Sequence, residues 1–281
     1  MAAVLRKHND PAMRIALAGK GGAGKTTISA TLARARARAG AQVVAIDADS
    51  NPNLAAALGL RSGASGPVPV SLVSRRLSGA ALTAPIEEVL AAHAVPGPDG
   101  VRLVGMGAPA HADEGCLCSA HATVSAVLAD LGAGEGTVTI IDMEASPEHL
   151  SRGTVRHADV LLLVTEPYFR SLETVRRLAA LAAELPIARV AVVANKVRSE
   201  DEADAVLEFC ARHELPCWAV VPWSEEVVAA DLAARPLLDA APGGPAVAAI
   251  EELGRFLAGG DRDGLPPDGP VGPAGGRAVS V

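Results

Sequence analysis

The sequence predicts an α/β fold in which a doubly wound, mainly parallel sheet carries helices on both faces. Apolar residues make up 49% of the 281-residue chain but aromatic residues only 2%. The core must therefore be built from Ala, Val and Leu, which is typical of helices packed on a parallel sheet. Short apolar runs also alternate with helical patterns along the chain. The predicted strands are RIALA, QVVAID, VRLVGM, TVTIID, DVLLLVTE, RVAVVAN and CWAVV.

Helical patterns lie between most of these strands and belong to a single domain. They cover a segment up to about Ala39 and the stretches Ser119 to Leu131, Ser171 to Glu184, Glu200 to His213 and Pro245 to Leu257. We therefore expect one phosphate-binding α/β domain over residues 13–258. Residues 1–12 are expected to form a flexible arm, and the Gly- and Pro-rich residues 259–281 a disordered tail, because they have almost nothing to bury. Two further Gly- and Pro-rich stretches, 61–70 and 94–100, are expected to be surface loops.

Composition and charge argue against several classes of function. The formal net charge is -7 and the pI is about 5.5, so a general attraction to nucleic acid is not expected. No apolar run is long enough for a membrane span, and the amino terminus lacks the apolar core of a signal peptide. We therefore expect a cytoplasmic protein with no membrane partner. In that reducing compartment the four cysteines favour metal binding or thiol chemistry over disulfides.

The clearest functional motif follows the first predicted strand. GKGGAGKTT, residues 19–27, fits the pattern G-x-x-x-x-G-K-[ST] between a strand and a helix. Small residues let backbone N–H groups surround phosphates, and the helix amino terminus adds partial positive charge. The lysine reaches the terminal phosphates, and the next hydroxyl binds magnesium. The motif predicts a site for ATP and Mg²⁺ formed by Gly21, Gly22, Ala23, Gly24, Lys25, Thr26 and Thr27.

Carboxylates at the ends of two further strands are expected to complete this site. Asp47 ends QVVAID and Asp49 lies two residues later, so both carboxylates can face the phosphates from one side. Asp142 ends TVTIID and is placed to hold magnesium through water. Alone, each position would fit a helix cap equally well. The preceding phosphate loop favours catalysis.

A second lysine, Lys20, gives the loop the arrangement K-G-G-x-G-K-T-T. This arrangement resembles the deviant Walker A motif of the SIMIBI class of ATPases, which includes the MinD and ParA proteins. The resemblance implies that Lys20 reaches across a dimer interface and stabilises charge on the phosphoryl group transferred in the partner subunit. It also implies that Lys25 is catalytic and that Asp49 orients the attacking water.

Two pairs of residues follow the last two predicted strands. Asn195 and Lys196 come directly after RVAVVA, and the asparagine resembles the one that lies on the adenine side of the site in the SIMIBI class. Pro222 and Trp223 come directly after the strand CWAVV and are candidates to pack against the base. Trp223 fits the hydrophobic core equally well.

The segment EGCLCSAHATV, residues 114–124, places two cysteines one residue apart. In an extended chain Cys116 and Cys118 point the same way and can present two sulfurs to one ion. A two-fold axis would bring four sulfurs together, and the dipole of the helix that follows would favour thiolates. The spacing alone fits two buried thiols as well as a metal site. His121 is interpreted as a surface or packed histidine.

Four motifs together, K-G-G-A-G-K-T-T, D-A-D-S-N-P-N-L, C-L-C-S-A-H-A-T-V and D-M-E-A-S-P-E-H-L, resemble the CooC-type ATPases, the maturation factors of nickel-containing carbon monoxide dehydrogenase. The resemblance implies nucleotide-driven homodimerisation, a Ni²⁺ or Zn²⁺ site at the shared cysteines, and delivery of nickel to a client metalloenzyme. Cys210 and Cys217 match nothing in that pattern and are interpreted as packed thiols. Ser146 and Pro147 replace the usual glycine region of the second switch, where proline restricts the backbone.

Two other functions remain open at this point. A MinD- or ParA-type positioning ATPase would use its nucleotide state to bind DNA or membrane, although the acidic pI and the lack of a terminal amphipathic helix argue against it. An ATP-driven electron donor would hold an iron–sulfur cluster between two chains. The short C-x-C spacing favours a single ion over such a cluster.

Overall fold

A computed structural model of the chain describes residues 12–76, 79–106, 118–131, 136–144, 155–259 and 270. For residues 75, 76, 79, 80 and 118–121 it describes the backbone alone. The predicted amino-terminal arm, apart from residue 12, and the predicted carboxyl-terminal tail, apart from residues 259 and 270, lie outside the described residues. The domain boundaries at residues 13 and 258 stay predictions.

The described strands build one large sheet and one small ribbon. They are β1 (Met13–Gly19), β2 (Gln42–Ala48), β3 (Val73–Arg76), β4 (Gly79–Leu82), β5 (Val95–Pro96), β6 (Arg102–Gly105), β7 (Thr137–Met143), β8 (Val160–Thr165), β9 (Arg189–Val197) and β10 (Cys217–Pro222). The large sheet has the order β10-β9-β8-β1-β7-β2-β6-β5, while β3 and β4 pair with each other. In the large sheet all neighbours are parallel except β5 and β6, which confirms the predicted mainly parallel sheet.

The described helices are α1 (Lys25–Arg38), α2 (Leu54–Leu58), α3 (Ile86–His93), α4 (Cys118–Leu131), α5 (Phe169–Ala182), α6 (Glu200–Arg212), α7 (Glu225–Leu232), α8 (Leu237–Ala240) and α9 (Pro245–Ala258). Five of the described helices, α1, α4, α5, α6 and α9, lie close to predicted positions, whereas α2, α3, α7 and α8 were not predicted. Three short 3-10 turns cover Val70–Leu72, Pro98–Gly100 and Val155–His157. Ser199 caps α6, because its hydroxyl accepts a hydrogen bond from the Glu202 N–H at 3.2 Å.

Strand β1 shows how the two faces of the sheet are filled. Ile15 and Leu17 belong to the core shared with α1 and α9, whereas Ala16 and Ala18 belong to the core shared with α4, α5 and α6. All four side chains are buried. Because successive residues of a strand point to opposite faces, a strand covered on both sides is apolar throughout. This confirms the doubly wound arrangement that the apolar runs predict.

Two stretches predicted to be loops also contribute strand pairing. Val95 and Pro96 add a short antiparallel strand to the edge of the sheet, and Pro67 forms an isolated bridge with Gly105. The β3–β4 ribbon, which packs beside α4, was also not predicted. A two-residue strand is too short to show a hydrophobic period, and proline is tolerated at a sheet edge because its missing N–H is not needed there.

Strand β10 forms the opposite edge and is irregular. Its pairing with β9 shifts between Cys217 and Ala219 and again between Val221 and Pro222. The first shift leaves Trp218 and Ala219 in the same core, where the Trp218 ring meets Phe256 edge to face at 5.2 Å. Cys217 belongs to the other core, together with Cys210 of α6, and both thiols are buried as expected of packed cysteines.

A charged cluster anchors α1, the helix that follows the phosphate loop. The Arg34 side chain is only 4% exposed, and its guanidinium donates to Asp99 at 2.6 Å and to Asp239 at 2.6 Å. Arg38 reaches the same two carboxylates at 3.1 Å each. Asp99 lies in the turn before β6 and Asp239 in α8, so the cluster ties α1 to two distant parts of the chain.

We predict that Arg34→Met lowers the free energy of unfolding by about 1–3 kcal/mol, because it removes charge-assisted hydrogen bonds from a buried position. The exposed pair Arg212–Glu208 provides the matched control, and Arg212→Met should change stability by less than about 0.5 kcal/mol. Urea unfolding at pH 7 measures both. Equal effects of the two variants would contradict the prediction.

The loss of unfolding free energy in Arg34→Met should also depend on pH. The hydrogen bond from Arg34 lowers the pKa of Asp239. At Asp99 burial acts in the opposite direction, but the hydrogen bonds from Arg34 and Arg38 outweigh it and lower the pKa. Carboxylates with lowered pKa stabilise the fold above their ordinary pKa and lose that contribution as the pH falls through the lowered value. The difference between wild type and Arg34→Met should therefore shrink below about pH 4.

Candidate functional site

The phosphate loop begins where β1 passes close to β8. Gly19 has a φ of 149°, and a Cβ at this position would collide with the Val164 carbonyl. Gly24 has a φ of 98° and directly precedes α1, where a Cβ would collide with the Asn195 amide. These two contacts explain why glycine is required at both positions. Gly21 and Gly22 are exposed, Ala23 is buried, and Thr26 and Thr27 are half-buried.

The amino terminus of α1 is suited to an anion. No acidic residue lies in its first turn, and no side chain caps it in the part of the chain that the structure describes. The first N–H groups of a helix and its dipole attract negative charge. Lys25 opens the helix, and its ammonium donates to the Lys20 carbonyl at 3.4 Å. Burial lowers the Lys25 pKa, and the charges of Asp142, Asp49 and Glu144 oppose that shift.

Asp47 and Asp142 are neighbours across the β2–β7 register, and both are buried. Burial raises the pKa of Asp142 to about 7, while hydrogen bonds from Thr26 and Ser29 act in the opposite direction. Its Oδ1 accepts the Ser29 hydroxyl at 3.2 Å, and its buried Oδ2 has no hydrogen-bond partner among the described residues. A buried carboxyl oxygen without a partner, beside a phosphate loop, fits a magnesium site.

The carboxylate of Asp47 organises the loop that follows β2. Its Oδ2 accepts the Leu54 N–H at 2.9 Å and its Oδ1 accepts the Asp49 N–H at 3.3 Å. Burial raises the pKa of Asp47 to about 6, against the lowering effect of the backbone hydrogen bonds. Asp49 is half-buried, and its carboxylate accepts the Asn51 N–H at 2.8 Å. The predicted catalytic aspartate therefore lies in a loop that Asp47 holds in place.

Asn195 and Lys196, at the end of β9, contact carbonyl groups of the phosphate loop. The Asn195 amide donates to the Ala23 carbonyl at 2.7 Å, and the Lys196 ammonium donates to the Gly22 carbonyl at 2.5 Å. Lys196 also forms an ion pair with Glu166 at 2.8 Å. Glu166 was not singled out in the sequence, although it is the first charged residue after a buried strand that ends at the same edge.

Pro222 is the last residue of β10, and Trp223 follows it at this edge of the sheet. Trp223 is 37% exposed, which excludes the core alternative considered for it. The Arg198 guanidinium lies 4.3 Å from the centre of the Trp223 ring, within the range of a cation–π contact. The tryptophan of the core is Trp218 instead. Packing of Pro222 against a base stays a prediction.

The arrangement of these residues agrees with comparisons to known proteins. The CobQ/CobB/MinD/ParA nucleotide-binding domain family matches residues 15–237. The chain belongs to this family. It is 35% identical over 241 residues to the carbon monoxide dehydrogenase accessory protein CooC of Rhodospirillum rubrum, covering 82% of this chain and 91% of that protein. It is therefore a CooC-type member.

Further relatives support the same assignment. An uncharacterized ATP-binding protein of Methanocaldococcus jannaschii is 34% identical over 241 residues, covering 80% of this chain and 91% of that protein. Among solved structures, the MinD cell division protein of Aquifex aeolicus superposes with a TM-score of 0.68 and 24% identity, covering 91% of this chain and 99% of that one. A ParA family ATPase of Chlorobium tepidum superposes with a TM-score of 0.69 and 20% identity, covering 87% of this chain and 99% of that one. The two solved structures show that the chain shares their fold, while the family match and the CooC relative make this CooC-type chain an ATPase.

The cysteines predicted to bind metal in this CooC-type ATPase lie at the limit of the described structure. Cys116 lies outside the described residues, as do Ser146 and Pro147 of the second switch. Cys118 is the first residue of α4, but its side chain and that of His121 are not described. Within the described ranges, His, Cys, Asp and Glu side chains form no group of three or more that could hold a metal ion. The cysteine site therefore stays a prediction.

The described helices also bear on the expected absence of a membrane span. None of the helices in residues 12–259 that the structure describes is both long and apolar enough to cross a bilayer.

We predict that Asp142→Asn stabilises the nucleotide-free ATPase at pH 8 by about 1–3 kcal/mol. A carboxyl whose pKa is raised on folding costs stability as the pH rises from its unfolded pKa to its folded pKa. The wild type should therefore lose stability between about pH 4 and pH 7, and the variant should lose less. Urea unfolding at several pH values measures this effect.

The same variant should bind magnesium nucleotide more weakly, and Glu208→Gln on the exposed surface of α6 serves as the control. A thermal shift with ADP, with and without Mg²⁺, reports the binding. An Asp142→Asn protein that is less stable at pH 8 and keeps the full magnesium-dependent shift would contradict both expectations.

Proposed function

We propose that this ATPase is an ATP-dependent metallochaperone that helps insert nickel into a carbon monoxide dehydrogenase-like metalloenzyme. The observation that carries the proposal is the 35% identity to a carbon monoxide dehydrogenase accessory protein over nearly its whole length, together with the C-x-C segment at Cys116 and Cys118. The acidic net charge of -7 supports a function without nucleic acid.

In this proposal the phosphate loop and the two buried aspartates bind ATP. Loop N–H groups and Lys25 hold the phosphates, while Thr26 and Asp142 hold Mg²⁺, which neutralises phosphate charge when bound. Asp49 orients the attacking water from the loop that Asp47 secures. Asn195 lies behind the loop on the adenine side, and Pro222 packs against the base. Lys20 acts on the nucleotide of a partner subunit.

The metal is the cargo of the proposed cycle. ATP closes a homodimer, and Cys116 and Cys118 of each subunit bring four thiolates to one Ni²⁺ or Zn²⁺ ion. Hydrolysis opens the dimer and releases the ion to the client enzyme. A metal that binds only the closed dimer must favour that dimer in turn, so metal and ATP affinities should rise together.

We predict that the reduced, metal-free protein binds one nickel ion per dimer when ATP is present, and that Cys116→Ser/Cys118→Ser removes this binding without changing the ATP affinity measured in the absence of metal. Anaerobic nickel titration with a simultaneous measurement of molecular mass tests the prediction. Cys210→Ala, which removes a buried thiol far from the segment in sequence, is the control and should bind nickel like the wild type.

Several outcomes would contradict metal delivery. Unchanged nickel binding in the double serine variant would exclude these cysteines as ligands. Lack of nickel and zinc binding at micromolar concentration in either nucleotide state would leave a switch ATPase of the MinD or ParA type. A brown anaerobic preparation that loses its colour in the serine variant would instead indicate an iron–sulfur electron donor.

The role of Lys20 can be tested by complementation. Lys20→Ala should keep ATP binding but lose most of the ATPase activity, since the lysine serves the other subunit's nucleotide. Lys25→Ala should lose ATP binding but retain Lys20. If Lys20 acts in trans, mixing the two inactive variants should restore part of the turnover, with Lys20→Ala/Lys25→Ala as the control that cannot complement. Failure to restore any turnover in dimers shown to be mixed would contradict a trans role.

A further inference from the structure

Two consecutive residues at the end of β9 hold two consecutive carbonyl groups of the phosphate loop. Lys196 donates to the Gly22 carbonyl at 2.5 Å, and Asn195 donates to the Ala23 carbonyl at 2.7 Å. Both contacts join residues more than 170 positions apart in the chain. The loop is therefore fixed by its carbonyl groups from the side of β9, in addition to its covalent links to β1 and α1.

Peptide geometry turns these contacts into a constraint on the N–H groups. In a planar trans peptide the C=O and the following N–H point in opposite directions. A donor that draws the Ala23 carbonyl toward β9 therefore directs the Gly24 N–H to the other side of the loop. Lys196 fixes the neighbouring peptide between Gly22 and Ala23, whose N–H donates to the Lys20 carbonyl at 3.1 Å and so closes the turn from Lys20 to Ala23. Phosphates are bound by loop N–H groups such as that of Gly24.

The backbone of Lys196 is in an unusual conformation, at the point where β9 has one extra residue in its pairing with β10. Its φ is 62°, in the left-handed region that side chains other than glycine seldom adopt. Such a conformation persists only where the surrounding structure holds it. The Lys196 ammonium is in turn fixed between the Gly22 carbonyl and the Glu166 carboxylate.

Glu166 supplies the counter-charge that keeps Lys196 in position. It is buried, its carboxylate lies 2.8 Å from the ammonium, and its own N–H donates to the Ser171 hydroxyl at 3.0 Å. Burial raises the pKa of Glu166, but the hydrogen bonds from Lys196 and Tyr168 outweigh it and lower the pKa. An ionised carboxylate at this depth needs a cation close by. The Lys196–Glu166 pair is therefore held in a fixed position against the phosphate loop.

We propose that Lys196, held by Glu166, is a positioning residue for the phosphates of ATP. It fixes the Gly22 carbonyl and with it the turn from Lys20 to Ala23, so that the loop already has the shape in which its other N–H groups face the phosphates before the nucleotide arrives. Neither side chain needs to touch the nucleotide for this effect. The inference depends on the ATPase activity of the chain and not on the proposed metal delivery, so the two can fail separately.

Lys196→Met tests this role, because it keeps the length of the side chain and removes the charge and the donor. We expect at least a ten-fold rise in the dissociation constant of ADP and in the KM for ATP, with kcat changed less than three-fold. Adenosine, tested as a competitor, lacks the phosphates and should bind as it does to the wild type. Arg212→Met, in the exposed ion pair with Glu208, is the control and should match the wild type in every assay.

Two more variants separate positioning from a structural effect. Lys196→Gly removes the side chain but suits the left-handed backbone, so the fold should be retained while ADP affinity falls as in Lys196→Met. Glu166→Gln should weaken ADP binding to a smaller extent. Combining it with Lys196→Met should weaken ADP binding little beyond Lys196→Met alone, because both changes remove the same ion pair between Lys196 and Glu166.

The inference is overturned by any of three results. The first is that Lys196→Met binds ADP with a dissociation constant within two-fold of the wild type. The second is that Lys196→Met loses affinity for adenosine and ADP equally, which would indicate general damage to the site. The third is that Lys196→Gly binds ADP as tightly as the wild type, which would show that the side chain is not needed. The assays should be run well below the melting temperature of each variant, so that unfolding does not contribute.

Discussion

The position of β1 between β7 and β8 is the constraint on which the site depends. Parallel hydrogen bonding on both sides fixes the end of β1 at the same edge as the ends of its neighbours. Gly19, Asp142 and Glu166 come from different parts of the sequence and meet there for this reason. A shift of one residue in the β1–β7 register would turn the Asp142 carboxylate to the opposite face of the sheet.

The strands, the main helices and the phosphate loop could be predicted because their signals are local. A strand buried on both faces is a continuous apolar run, and the loop pattern lies within nine residues. The contacts of Arg34 with Asp239 and of Lys196 with Gly22 could not be predicted in this way, since each joins residues far apart in sequence and depends on the final packing. The strand at Val95–Pro96 was not predicted because two residues are too few to show an alternation of apolar and polar side chains.

The helix that begins at Cys118 is anchored to the same sheet as the phosphate loop. Arg14 of β1 donates to the Leu128 carbonyl of α4 at 3.2 Å and pairs with Asp159 at 2.9 Å. Ser125 of α4 lies 3.1 Å from the His157 ring nitrogen. These contacts hold the carboxyl-terminal half of α4 against β1 and the turn before β8.

The two edges of the large sheet, as far as the structure describes it, share a property that affects how copies of the chain can meet. At one edge β5 is only two residues long and contains Pro96, which has no N–H. At the other edge Trp218 is an extra residue of β10 in its pairing with β9, and it interrupts the even spacing of the hydrogen-bonding groups along this strand. Neither edge offers the continuous row of donors and acceptors that an added strand requires. Growth of the sheet from one molecule into the next is therefore disfavoured, which leaves the ends of the strands and the outer surfaces of the helices for contacts between copies and gives protection against stacking into fibrils.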